Sequence, residues 1–230
     1  MITAESEEFD TYLWLLDGED RALQRNDDWQ GSTNSALGYV LPEDDVYQVW
    51  VNTKTAQGQG NYRLLVEMAS DDAPVVVQSR ADDLLQQGIG QYRVSQFREA
   101  LASWQQALEL YRQIGDRASE GRTLGNLGTA YRNLGEYGRA IDLAEQDLAI
   151  AHEIDNLVGK RRALGNLGSA YLDLGEYKRA IDLSEQALAI SRDIGDRSGE
   201  GIILSNLGVA YRSLGEYERA IELVKRALAI

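Results

Sequence analysis

The residues of this 230-residue chain best suited to chemistry are arginines and asparagines set four apart and repeated forty residues on. Arg122 and Asn126 recur as Arg162 and Asn166, and Asn206 follows Ile202 at the same spacing. Four residues is one helical turn, so each pair shares a face. Thr129 and Asn133, then Ser169 and Asp173, then Val209 and Ser213 extend that face. Arg132 and Arg212 lie at its edge, with Leu172 between them in repeat order. An Asn carboxamide can both donate to and accept from a peptide backbone, and a guanidinium offers a fork for a carboxylate. The pattern therefore suits a ligand that offers backbone amides and an acidic or carboxylate group. The same asparagines could instead cap or bridge neighbouring helices.

Composition removes the competing chemistries. There is no Cys, so a disulfide framework, a thiolate metal site and a Cys nucleophile are all excluded. His152 is the single His and reads as a partner for a helix C-terminal dipole, which leaves no triad and no His-based zinc site. With 37 acidic against 23 basic residues the formal charge is −14, which argues against nucleic acid as a partner. No apolar run approaches the ~20 residues that span a bilayer, and no signal peptide opens the chain. Gly88-Ile89-Gly90 lacks the preceding strand and third glycine of a nucleotide loop. No catalytic constellation, metal site or cofactor is read.

The elements that must carry the Arg–Asn face come from a repeat. Residues 124–150 and 164–190 are identical at 21 of 27 positions, and 164–190 and 204–230 at 18 of 27. A period of 40 residues means a stacked array. Leu124, Leu127, Gly128 and Tyr131 follow helical spacing, so a first helix, A, has one apolar face. Leu134-Gly135-Glu136 ends it, with Gly135 suited to a helix C-terminus. A second helix, B, starts near Tyr137 and carries Ala140, Ile141, Ala144 and Leu148. Ala140 and Gly128 are small because the two helices must approach closely there. Arg139, Arg179 and Arg219 recur on helix B and read as solvated partners of nearby acids.

These residues resemble the tetratricopeptide repeat. With Gly121 as first position, Leu124, Leu127, Gly128, Tyr131, Gly135, Tyr137 and Ala140 fall on the signature. So do Leu164, Leu167, Gly168, Tyr171, Gly175, Tyr177 and Ala180, and then Leu204, Leu207, Gly208, Tyr211, Gly215, Tyr217 and Ala220. Residues 84–123 form a degenerate first unit with Leu84, Gly88, Phe97, Ala100 and Ala107 on the grid and Gln91 in place of Tyr. The unit exceeds the usual ~34 residues and is similar to the long-repeat branch of kinesin-light-chain-type and Partner-of-Inscuteable-type proteins. Ile194-Gly195-Asp196-Arg197, echoed by Ile114-Gly115-Asp116-Arg117, is that branch's connector. The resemblance implies a concave groove lined by A helices that holds a peptide or a segment of another protein. There the Arg–Asn pairs look like the family's carboxylate-clamp arrangement.

Residues 1–80 differ, with 15 acidic and 5 basic residues. Phe9–Leu16, Asp45–Asn52 and Asn61–Glu67 read as strands, with weaker ones near Arg21–Arg25, Ala36–Leu41 and Val75–Gln78. Short strands between polar turns indicate a small antiparallel sandwich or barrel. Glu8-Phe9-Asp10-Thr11-Tyr12-Leu13, Asn26-Asp27-Asp28, Asn34-Ser35, Leu41-Pro42 and Gly60-Asn61-Tyr62 resemble the bacterial pre-peptidase C-terminal domain, a β-sandwich. The resemblance implies calcium binding in some members. Asp10, Asp27, Asp28 and Asn34 are then candidate oxygen ligands, though turn acids facing water need no ion. That family has further strands before the Phe-Asp-Thr-Tyr-Leu run, for which Ile2-Thr3-Ala4 alone remains.

The expected architecture is thus α+β in two separate domains. An incomplete antiparallel β-sandwich over 1–72 is followed by a linker at 73–80 and an all-α tetratricopeptide solenoid over 81–230. The repeats fall near 84–123, 124–163, 164–203 and 204–230, the last truncated. The chain is expected to be a window from a longer protein at both ends. If it ends at Ile230, self-association through the uncapped last helix is expected. The leading function is a non-catalytic scaffold whose groove binds a peptide or partner protein. The alternative is the regulatory part of a larger protein with a C-terminal CHAT domain, a caspase-like module that the resemblance associates with such repeats.

Overall fold

The computed structural model describes residues 2–5, 11–16, 22–26, 35–37, 48–53, 63–66 and 73–230. The chain divides into two compact units, Met1–Arg80 and Ala81–Ile230.

Among the described residues of the first unit, six short strands pair antiparallel in two sets of three. They are β1 (Ile2–Glu5), β2 (Thr11–Leu16), β3 (Ala22–Asn26), β4 (Ser35–Leu37), β5 (Gln48–Thr53) and β6 (Arg63–Val66). The orders are β4-β1-β6 and β3-β2-β5. In the β2–β5 register Trp14 is the partner of Trp50, Leu13 of Val51 and Leu15 of Val49. The β2–β3 register shifts between Leu15 and Leu16, and both leucines are buried. Ile2–Glu5 is the middle strand of its set, so the short run before Phe9 is a paired strand. The strand expected at Val75–Gln78 is a correction: these residues lie in helix α1 (Pro74–Arg93). Pro74 occupies the first helical turn, where its missing N–H costs nothing. The good helix formers after Gln78 then override the β preference of three valines. Residues 74–80, expected as linker, belong to this helix.

The second unit is an all-α solenoid. After α1 come α2 (Phe97–Ile114), α3 (Arg117–Asn133), α4 (Tyr137–Glu153), α5 (Leu157–Asp173), α6 (Tyr177–Asp193), α7 (Arg197–Ser213) and α8 (Tyr217–Leu228). Odd-numbered helices are A helices and even-numbered ones are B helices. Each A helix from α3 on begins four residues before the repeat's signature start, because an Asx side chain caps it there. Asp116, Asn156 and Asp196 accept from the backbone N–H of Ser119, Gly159 and Gly199 at 3.0, 2.9 and 2.8 Å. The A helices α3, α5 and α7 end at glycines in the left-handed region, Gly135 at φ 77° among them, which a side chain would strain.

Leucines and alanines of each A helix bury against its B helix and the B helix before it. Ala140, Ile141 and Ala144 of α4 pack with Leu167 and Ala170 of α5. Ile181 and Leu188 of α6 pack with Leu204, Leu207 and Ala210 of α7. A Cβ on Gly128 would lie 3.2 Å from the Ala140 carbonyl oxygen, so that glycine permits the close A–B approach. The A helices approach one another, α3 on α5 and α5 on α7, more closely than the B helices do. The stack therefore curves with the A helices inside. No helix among the described residues is long and apolar enough to cross a membrane.

Candidate functional site on the inner helix face

The inner face is built from α3, α5 and α7. Each A helix turns its leucines toward the B helices, which leaves the opposite stripe to the groove. Arg122 is exposed and Asn126 half-buried on α3. Arg122 Nη2 donates to Ser119 Oγ at 3.4 Å, a long contact. The Asn126 side chain makes no hydrogen bond among the described residues.

The rest of the ladder is engaged internally. Asn166 Nδ2 donates to the Gly125 carbonyl at 3.4 Å, and Asn206 Nδ2 donates to Ser169 Oγ at 3.1 Å. Ser169 and Thr129 hydroxyls donate to the carbonyls of Gly165 and Gly125 in their own helices, both at 2.9 Å. Asn133 Nδ2 donates to the Tyr92 hydroxyl at 2.6 Å. Two of the three ladder asparagines thus stitch neighbouring A helices together.

The arginines divide in the same way. Arg162 grips Asp147 of α4 with two hydrogen bonds, Nη2 to Oδ1 at 2.7 Å and Nε to Oδ2 at 3.1 Å. Asp147 is fully buried. Burial pushes its carboxyl up from the ordinary value, and Arg162 opposes that shift. Arg132 reaches Asp173 of α5 at 3.6 Å. Arg212 is exposed at the far end and lines an open groove with Val209, Ile221, Val224 and Lys225. Arg122 also lies beside the Tyr111 hydroxyl of α2, so among the clamp-like residues Asn126 is the one whose side chain makes no hydrogen bond among the described residues.

Two features escaped the sequence reading. Asp147 stands where its repeat equivalents are Ala107 and Ala187, and that single departure marks the buried ion pair. Arg139, Arg179 and Arg219 lie 5.2, 5.5 and 5.5 Å from the ring centres of Tyr131, Tyr171 and Tyr211. Each pins a B helix to its A helix by cation–π contact. Arg139 and Arg219 also pair with Glu136 and Glu216 one turn back, at 2.9 and 2.7 Å. His152 is exposed in the last turn of α4. No group of His, Asp and Glu among the described residues could hold a metal ion. The calcium candidates Asp10, Asp27, Asp28 and Asn34 lie outside the described residues.

Stacked helix pairs with a polar inner stripe define a helical-repeat protein of the kind that typically serves as an interaction scaffold. A family model described as "Tetratricopeptide repeat" matches residues 83–153 and 160–230, and the chain belongs to that family. Similar solved structures include BtubC from P. vanneervenii, 20% identical with a TM-score of 0.60, covering 66% of this chain and 63% of that one. A Rap protein complexed with Competence and Sporulation Factor is 18% identical with a TM-score of 0.61, covering 66% and 43%. A STAND protein with a tetratricopeptide repeat sensor from Pyrococcus horikoshii is 23% identical with a TM-score of 0.59, covering 67% and 24%. The chain thus spans under two thirds of each of these proteins' length. No curated protein matches the sequence.

Proposed function

We propose that this protein is a non-catalytic scaffold that binds a peptide or an extended segment of a partner protein along the inner face of α3, α5 and α7. The observation that carries the reading is the Arg122–Asn126 pair. The Asn126 carboxamide makes no side-chain hydrogen bond among the described residues, so it is available both to donate to and to accept from a ligand's backbone. An exposed guanidinium one turn away suits a ligand carboxylate. Asn166 and Asn206 shape the groove by holding A helices in register, so the contact zone narrows from three repeats to the α3 end. One of the similar structures is a Rap protein complexed with Competence and Sporulation Factor, which supports reading this fold as one that binds a partner. The first 72 residues fit a partial pre-peptidase C-terminal-like β-sandwich, a reading supported by the antiparallel pairing of β1–β6.

Selection of a displayed random-peptide library on the full chain tests the groove. Carboxylate-bearing peptides should enrich, and Arg122→Ala and Asn126→Ala should each lose them while helical circular dichroism stays. Retention of the same peptides by both variants overturns the site.

A further inference from the structure

The inner stripe changes character along the array, and the changes say more about the ligand. At the first two inner positions of each A helix, α3 carries Ala118 and Arg122, α5 carries Val158 and Arg162, and α7 carries Ser198 and Ile202. Residues four apart share a helix face, so Val158 extends the stripe one turn before Arg162. Val158 is 55% and Ile202 62% exposed. Stacking does not close these positions: Ala118 and Arg122 are exposed on α3 although α5 follows it. Val209 differs, because its equivalent Ser169 accepts from Asn206 of the next A helix.

Charge is sorted in the same direction. Arg122 is exposed, beside the Tyr111 hydroxyl. Arg162 is held down by Asp147, which replaces the alanine found at 107 and 187, through hydrogen bonds of 2.7 and 3.1 Å. Its side chain is only 26% exposed, and Asp147 is fully buried, so the pair is charge-compensated beneath the stripe. Ile202 carries no charge at the same position. Asp173, an acid on the stripe, is paired with Arg132 of α3. The groove therefore runs from a cation on α3 to exposed aliphatic side chains on α5 and α7. A single exposed aliphatic residue is ordinary on any surface. Here two of them fall on the stripe that carries Asn126, Asn166 and Asn206, where α3 has alanine and arginine.

The span between the two ends follows from helix packing. Arg122 and Ile202 lie two helix spacings apart, and each spacing is about 8–10 Å. An extended chain rises about 3.3 Å per residue, so about five or six residues cover that span.

We propose that the groove selects an extended segment with two anchors, a carboxylate at Arg122–Asn126 and a bulky aliphatic side chain, Leu, Ile or Val, about five or six residues away at Ile202. Val158 lies between them on α5 and keeps that stretch apolar. This inference rests on the peptide-binding reading above and adds to it the second anchor and the spacing.

The probe is a displayed random-peptide library selected on the full chain and, in parallel, on its Arg122→Ala and Ile202→Arg variants. Ile202→Arg places at an exposed position the residue that α3 and α5 hold there, so circular dichroism should not change. Peptides selected on the parent should pair an acidic residue with Leu, Ile or Val at a spacing of about five or six. On Ile202→Arg the acidic residue should persist and the aliphatic preference disappear, and on Arg122→Ala the reverse. One parent-selected peptide is then synthesised with its aliphatic residue replaced by serine. It should bind the parent roughly tenfold more weakly, the size expected for a partly buried aliphatic side chain, and should bind Ile202→Arg as the unchanged peptide does. Acidic peptides with no aliphatic preference, or a serine exchange that weakens binding equally on both proteins, overturn this inference and leave the peptide-binding reading standing. Peptides that need neither Arg122 nor Asn126 overturn both.

Discussion

Replacing Arg162 by isoleucine is the most informative single perturbation of the array. It removes both hydrogen bonds to Asp147 and leaves a carboxylate that is fully buried, against the Gly121 and Gly125 stretch of α3. Breaking a buried pair from one side costs about 3–5 kcal/mol. The opposite change, Asp147→Ala, leaves a guanidinium whose side chain is 26% exposed and can reach water. Its cost is smaller, about 1–2 kcal/mol. The double variant Asp147→Ala with Arg162→Ile recreates the Ala187–Ile202 pair that the chain already uses one repeat later. It should lie within about 1 kcal/mol of the parent, because an apolar replacement of a buried ion pair is commonly neutral or stabilising. Urea unfolding followed by far-ultraviolet circular dichroism reads all four corners of the cycle. The pH dependence adds a second check. Asp147's folded pKa is raised above the unfolded value, so the folded state holds the proton more tightly. Its charged form therefore costs stability above the folded pKa, and that cost fades as pH falls toward the ordinary carboxylate range. Removing Arg162 removes the one lowering influence, so the Arg162→Ile deficit should be largest at neutral pH and shrink in acid. Equal costs for the two single variants, adding without coupling in the double, would refute the reasoning.

Three further outcomes follow from local geometry. Gly128→Ala should destabilise by about 1–2 kcal/mol, since its Cβ would press on the Ala140 carbonyl at 3.2 Å. Gly165→Ala, where a Cβ meets nothing within 4 Å, should stabilise by about 0.5–1 kcal/mol through helix propensity. Both are read from thermal melts, and the same sign for the two would contradict the packing account. Asp196→Ala removes the cap on the Gly199 N–H and should cost about 1 kcal/mol, whereas Glu216→Ala, which makes no capping bond, should cost less.

The array was legible because its repeat writes the core face three times over. Leu124, Leu127 and Gly128 recur at Leu164, Leu167 and Gly168, and the turn at Gly135 recurs at Gly175 and Gly215. A period exposes what packing demands, since each unit must bury the same stripe. The site was only half legible for the same reason. Asn166 and Asn206 find their acceptors 41 and 37 residues back, at Gly125 and Ser169. Which asparagine turns inward depends on the stacking of A helices, which spacing alone does not encode. Asp147 showed as a departure from alanine, but its partner Arg162 was assigned to the groove because its own repeat position said so. The three valines at 75–77 read as strand by local preference, and the helix that Pro74 begins absorbed them.

The account rests most directly on the Asn126 carboxamide of α3, which makes no side-chain hydrogen bond among the described residues. Isothermal titration of a library-selected carboxylate-bearing peptide against the full chain, the Asn126→Ala variant and the Ile221→Asp variant measures this claim. The account predicts an affinity loss of roughly tenfold or more for Asn126→Ala, the value of a hydrogen bond whose partner would be left buried, and an unchanged affinity for Ile221→Asp. Unchanged binding by Asn126→Ala, with loss in Ile221→Asp, would contradict it.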